Sequence, residues 1–259
     1  MNKFWAFLSK QRVPAEQMPI KNLISETRLL LLYSVFYVLL AIGIAQLILV
    51  YPLPLMGAVD FIQDFWYAVI FKFIFLLAVP SWIYFRKWDY TYKSLLLGLQ
   101  PTFSTWIKGF FLVAFGFFLN VGHLTQISEN LPTFPDNPVR MSFAVLLPFF
   151  IAGLPEELFF RGFLQTRLEK IWNPTLAILV SGILFTAWHL PSRFFLAHGA
   201  EGQAGDLGSI LVGTGIPVFI VSLFFGWHWT RYRNLPLLIL IHWAIDILPS
   251  VSSFYQILR

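Results

Sequence analysis

From Leu29 to Tyr51 the chain runs for 23 residues without an acid, a lysine, an arginine or a histidine. A helix needs about 20 apolar residues to cross the hydrocarbon of a bilayer, so this run predicts a transmembrane span. Six further stretches have the same character: Phe65 to Phe85, interrupted by Lys72, then Gly109 to Leu124, Met141 to about Phe160, Pro174 to Leu190, Gly208 to Trp229, and Leu235 to about Pro249. Composition agrees, because 58% of the 259 residues are hydrophobic and only 12% are charged, more apolar surface than a soluble interior of this size can hide. The expected architecture is an all-α polytopic membrane protein with about seven transmembrane helices. Residues 1–28 read as a cytoplasmic or interfacial arm without the long apolar region or cleavage site of a signal peptide, residues 29–140 as three helices, and residues 141–259 as four more. The absence of cysteine excludes disulfides, thiolate metal sites and a cysteine nucleophile.

The net charge of +5 sorts by membrane side. With these spans, 14 of the 18 Lys and Arg residues fall on one side: in the arm, between Arg86 and Lys108, after the fourth span and after the sixth. The other side has Arg140, Arg193 and Arg259, and Lys72 lies within a span. Basic loops stay cytoplasmic, so the N-terminus is expected in the cytoplasm. The basic excess therefore points to a lipid surface and not to nucleic acid.

Of the 13 acids, ten lie in the arm, loops or span edges, whereas Glu156, Glu157 and Asp246 sit inside apolar text. An ionisable group there costs at least about 2.5 kcal/mol, so such residues pair or line a polar cavity. Glu157 and Arg161 are one helical turn apart, in the order that favours an ion pair. Glu156 points about 100° away and is left for another partner. His189 and His242 are the other buried ionisable candidates; His242 shares a face with Asp246, and Phe185 with His189.

Asn173-Pro174 reads as the turn between spans four and five, and Glu157 and His189 each lie 16 residues from Asn173. Equal counts in an antiparallel hairpin place these positions at one height. The more polar stretch Gln165 to Trp172 predicts that span four continues beyond the hydrocarbon and that its turn protrudes into the cytoplasm. The site would then lie roughly 10 to 15 Å inside the cytoplasmic edge. His242, nine residues past Arg233, sits at a similar depth, about 13 Å along its helix.

In order, these residues form EExxxR at Glu156, Glu157 and Arg161, FxxxH at Phe185 and His189, and HxxxD at His242 and Asp246. The ordered set resembles the CPBP family of intramembrane proteases, which includes the CAAX prenyl endopeptidases and the bacterial Abi, or bacteriocin-processing, proteins. It spans about Phe149 to Asp246, so the resemblance implies that residues 141–259 are a four-helix catalytic core. The family's third motif is commonly HxxxN, where this chain has Asp246.

What the resemblance implies is hydrolysis of a peptide bond by water activated between a glutamate and a histidine. Glu156 would be the general base, helped by His189; His242 and Asp246 would stabilise the oxyanion; and Glu157, locked by Arg161, would shape the site with Phe185 as packing. No cofactor is expected, although zinc held by Glu156, His189 and His242 is a chemical alternative. The expected partners are the bilayer and a peptide or membrane-protein substrate entering from lipid or cytoplasm, and the expected location is a bacterial plasma membrane. HExxH, GxSG and GxGD motifs are absent. A non-catalytic immunity or scaffold protein using the same cavity is the second functional class, and a proton-coupled transporter, disfavoured by the lack of a two-fold repeat, the third. His123, His198 and His228 are assigned to the interface or solvent, and Trp227 and Trp229 to interface anchoring.

Reporter fusions after Arg12 and near Lys93 are expected to report cytoplasm, and one near Asp136 the opposite side. A cytoplasmic report from Asp136 would overturn the span count.

Overall fold

A backbone in lipid has no water to bond and satisfies its polar groups within helices. The computed structural model describes residues 20–50, 67–96, 103–130, 138–197 and 201–256. These form eight helices and no strand. We number them α1 (Leu23–Val50), α2 (67–87), α3 (Phe103–Phe118), α4 (His123–Asn130), α5 (138–171), α6 (Pro174–Leu196), α7 (Leu207–Tyr232) and α8 (Leu235–Gln256). Four are long and apolar enough to cross a membrane: α1, α6, α7 and α8. The protein is an all-α membrane protein, and four of the seven expected spans, the first, fifth, sixth and seventh, fall on these helices. The third is shorter than expected, because α3 ends at Phe118 and the polar α4 follows. Arg12, Asp136 and His198 lie outside the described residues.

α1 also departs from the expected boundary, beginning at Leu23 within the arm. Asn22 caps it, its side-chain oxygen accepting from the Ser25 amide at 3.3 Å. The turn at Asn173 is where the sequence puts it: Asn173 accepts from the Leu176 amide at 2.9 Å and Pro174 starts α6.

α5 is the central helix, packed against α1, α2, α6, α7 and α8. Pro148 and Pro155 withhold two backbone donors, and α5 opens to wider i→i+5 turns at 149–153 and 157–165. Every residue from Pro155 to Glu169 is buried. The polar end of α5 is therefore packed within the protein. It is enclosed because Arg167 pairs with Glu26 of α1 at 2.6 Å and Glu169 with Arg233, which follows α7. Around this centre, Leu32, Leu39, Phe110, Phe111, Val212 and Ile220 face outward, as lipid contact requires.

One glycine sets the approach of α5 to α8. A Cβ on Gly153 would stand 2.9 Å from the carbonyl oxygen of Ile239. One turn further along both helices come Glu156 and Glu157 on α5 and His242 on α8. Gly153→Ala is expected to cost about 1–3 kcal/mol by forcing backbones apart, read as a lower thermal-unfolding temperature in detergent. Gly43→Ala, with nothing within 4 Å of its added methyl, is the matched control and should lose nothing. Equal stability of the two variants would refute the close-approach role.

Candidate functional site

Adjacent residues on a helix diverge by about 100°, and the two glutamates accordingly face different neighbours. Both are fully buried. Glu156 points toward α2 and α6, where Lys72 Nζ donates to its Oε1 at 2.7 Å. Its Oε2 lies 3.9 Å from His189 Nε2 and 3.6 Å from His242 Nε2. Both gaps exceed a direct hydrogen bond, and Glu156 Oε2 has no hydrogen-bond partner among the described residues.

Glu157 points toward α7 and α8. Its Oε1 accepts from His242 Nδ1 at 2.7 Å and from Arg161 Nη1 at 3.3 Å. The other amino group of Arg161 donates to Ser222 Oγ at 2.8 Å and to the Ser222 carbonyl oxygen at 3.3 Å. The guanidinium also lies 4.3 Å over the Phe185 ring and 5.4 Å from that of Phe225. Arg161 thus ties α5 to α6 and α7 while answering the Glu157 charge.

The histidines are oriented by groups that can only accept. His189 Nδ1 bonds the carbonyl oxygen of Phe185 at 2.7 Å. Nδ1 is therefore the protonated nitrogen, and a neutral ring presents the Nε2 lone pair toward Glu156. Trp188 stands against the same imidazole, with ring centres 4.1 Å apart. His242 donates from Nδ1 to Glu157, and its Nε2 lies 3.4 Å from Asp246 Oδ2. Asp246 is the most open acid of the set, its side chain 34% exposed.

All seven candidate residues read from the three motifs meet here. The equal-count hairpin holds, although it is Glu156 that faces His189 and Glu157 that reaches His242. Phe185 packs, as expected, and adds its carbonyl as the tether of His189. The site also contains Lys72, which the sequence reading took only as an interruption of a span. The signal was available: an ionisable residue inside apolar text demands a partner, as at Glu156.

Three expectations away from the centre are corrected. His228 is buried beside the Tyr232 ring at 4.9 Å, not at an interface. Trp229 is fully buried and donates from Nε1 to Thr166 Oγ1 at 3.0 Å, so it is core and not a membrane anchor. Arg167 and Arg233, counted as loop charges, are buried and paired with acids.

Residues 138–248 match the family model described as type II CAAX prenyl endopeptidase Rce1-like. The match runs from the start of α5 into α8 and contains all seven motif residues; Lys72 lies outside it. Neither the curated proteins nor the solved structures yield a match.

The two glutamates differ in what their loss exposes. Glu157→Gln strands the fully buried Arg161 guanidinium and is expected to cost about 3–5 kcal/mol, measured by unfolding in detergent. Glu156→Gln should cost less, because its partner Lys72 has 15% of its side chain exposed, against none for Arg161. Equal destabilisation would contradict the separate environments.

Proposed function

Because residues 138–248 match the model of the type II CAAX prenyl endopeptidase Rce1-like family, a family of proteases, we propose that this protein is an intramembrane endopeptidase in which Glu156 and His189 activate a water. The observation that carries the reading is Glu156 Oε2: buried, without a hydrogen-bond partner among the described residues, and directed at two imidazole nitrogens. A water bridging these groups gives one proton to Glu156 Oε2 and directs the other to the His189 Nε2 lone pair. Its oxygen attacks the carbonyl carbon, and the oxyanion faces His242. Donation from His242 Nε2 requires a protonated ring, since Nδ1 already donates to Glu157; the carboxylates of Glu157 and Asp246 offset that charge. The proton on Glu156 then passes to the leaving nitrogen as the C–N bond breaks, giving an acid and an amine.

Glu156, His189 and His242 are the residues that would hold zinc in the alternative mechanism. They fit it poorly: the Lys72 ammonium lies 2.7 Å from the Glu156 carboxylate, putting a cation beside the site a second cation would occupy. The described residues also contain no group of three His, Asp or Glu arranged to hold a metal. No step of the proposed reaction uses one.

The substrate is a peptide at the membrane, met near its cytoplasmic side. Support for that side is the shared end of the bundle where Lys21 pairs with Asp89, Arg167 with Glu26 and Arg233 with Glu169, all in the basic segments. The test is cleavage of membrane-reconstituted peptides, a prenylated CAAX peptide first. Glu156→Gln and His189→Ala should each lose about 100-fold or more in turnover while still folding and inserting. A strong chelator should leave wild-type activity intact. Retained cleavage in Glu156→Gln would overturn the base assignment, and loss on chelation with recovery on Zn²⁺ would overturn the metal-free reading.

A further inference from the structure

Lys72 sits on α2, outside the family-matched segment, yet its ammonium touches the centre of the site. An apolar span tolerates a lysine only where the charge is answered, and here a single carboxylate oxygen answers it. The contact divides the two oxygens of Glu156. Oε1 is held at 2.7 Å by Lys72, and Oε2 is left between His189 Nε2 and His242 Nε2. The same ammonium lies 4.8 Å from the centre of the Trp188 ring, which in turn packs on the His189 imidazole at 4.1 Å. One side chain therefore fixes the carboxylate directly and braces the neighbouring histidine through an aromatic ring.

We propose that Lys72 is a positioning residue of the site: it anchors Glu156 by one oxygen so that the other meets the attacking water, and α2 thereby completes an active centre that α5, α6 and α8 leave unfinished. The inference rests on the reading of Glu156 as the base. Lys72 keeps its proton throughout and transfers nothing. Its contribution is orientation, since the terminal torsion of a glutamate is broad and nearly two-fold. Without the anchor the carboxylate turns, and its oxygens exchange or leave the gap between the imidazoles. The groups facing Glu156 are Lys72 from α2, His189 from α6, and His242 with Asp246 from α8. Of these only Lys72 bonds it directly.

The experiment uses the full-length protein reconstituted in membranes, with Lys72→Met, Lys72→Gln, Lys72→Arg, Lys72→Ala and Glu156→Gln compared on one peptide. Lys72→Met is expected to lower kcat about 100-fold, the scale on which small misplacements act, with KM within about 3-fold of wild type. Lys72→Arg should recover part of that loss. Because the lysine side chain is 15% exposed, methylammonium should reach the space in Lys72→Ala and raise its kcat saturably, while doing nothing for Glu156→Gln. A folded Lys72→Met or Lys72→Gln with wild-type kcat and only a lower unfolding temperature would overturn the proposal, leaving Lys72 as a stabilising counter-charge. Should the methionine variant fail to insert, the glutamine and alanine variants decide by the same criteria. Glu156→Gln that still cleaves would instead sink the base assignment on which the inference rests, an outcome separate from any result at Lys72.

Discussion

Two carboxylates placed side by side in an apolar bundle need more than one partner. Glu156 and Glu157 project about 100° apart, and each loses its hydration completely. An unanswered buried charge costs several kcal/mol even after relaxation. Counter-groups must therefore arrive from different sides of α5. Lys72 comes from α2 for Glu156, while His242 from α8 and Arg161, braced by Ser222 of α7, serve Glu157. The packing of helices around α5 is what this requirement looks like in three dimensions: those that bring polar groups surround its middle, and α3, rich in outward phenylalanines, packs instead on α8.

The same logic recurs at the end of α5. Glu26 of α1 accepts two bonds from Arg167, at 2.6 and 2.9 Å, and one from the Tyr90 hydroxyl at 2.8 Å. Glu169 receives Arg233, Gln165 and Thr230, and Gln165 also donates to the Gly226 carbonyl oxygen at 2.8 Å. Such pairs need not raise stability over an apolar core, but they punish a wrong register. If α1 or α7 slipped by one residue along α5, at least one carboxylate would be stranded away from its guanidinium. These clamps hold α5 from turning, and with it the two glutamates one or more turns upstream.

How far the sequence discloses this depends on whether a partner is local. Glu157 with Arg161, and His242 with Asp246, are legible because their spacing is one helical turn. The meeting of α5 with His189 follows from counting residues on either side of a turn that Asn173 and Pro174 announce. Glu26 with Arg167 is invisible to both methods, since the partners are 141 residues apart and neither helical period nor hairpin symmetry relates them. That gap explains one misplaced expectation: α1 was expected to start after its charges, because unpaired charges belong in water. Lys72 with Glu156 is also far apart in sequence, at 84 residues, but both lie within apolar text, so a search for mutual partners among misplaced charges would have joined them.

The departure at Asp246 from the HxxxN pattern of the proteases this chain resembles becomes intelligible from the bonds already made. His242 spends its Nδ1 proton on Glu157 at 2.7 Å, so Asp246 is not needed to choose the tautomer. Its carboxylate lies 3.4 Å from Nε2 instead, on the nitrogen that faces Glu156 and, on the proposed reading, the substrate. An ionised carboxylate has no proton to donate to an oxyanion, whereas an asparagine amide does. The chemistry thus divides differently here. On the proposed reading His242, flanked by Glu157 on one nitrogen and by Asp246 on the other, would carry positive charge toward the developing oxyanion, and Asp246 would offset that charge from the most open position of the site's acids. The glutamates divide likewise by surroundings: Glu157 directs its bonded oxygen at His242 and Arg161, whereas Glu156 has one oxygen held by Lys72 and the other without a hydrogen-bond partner among the described residues.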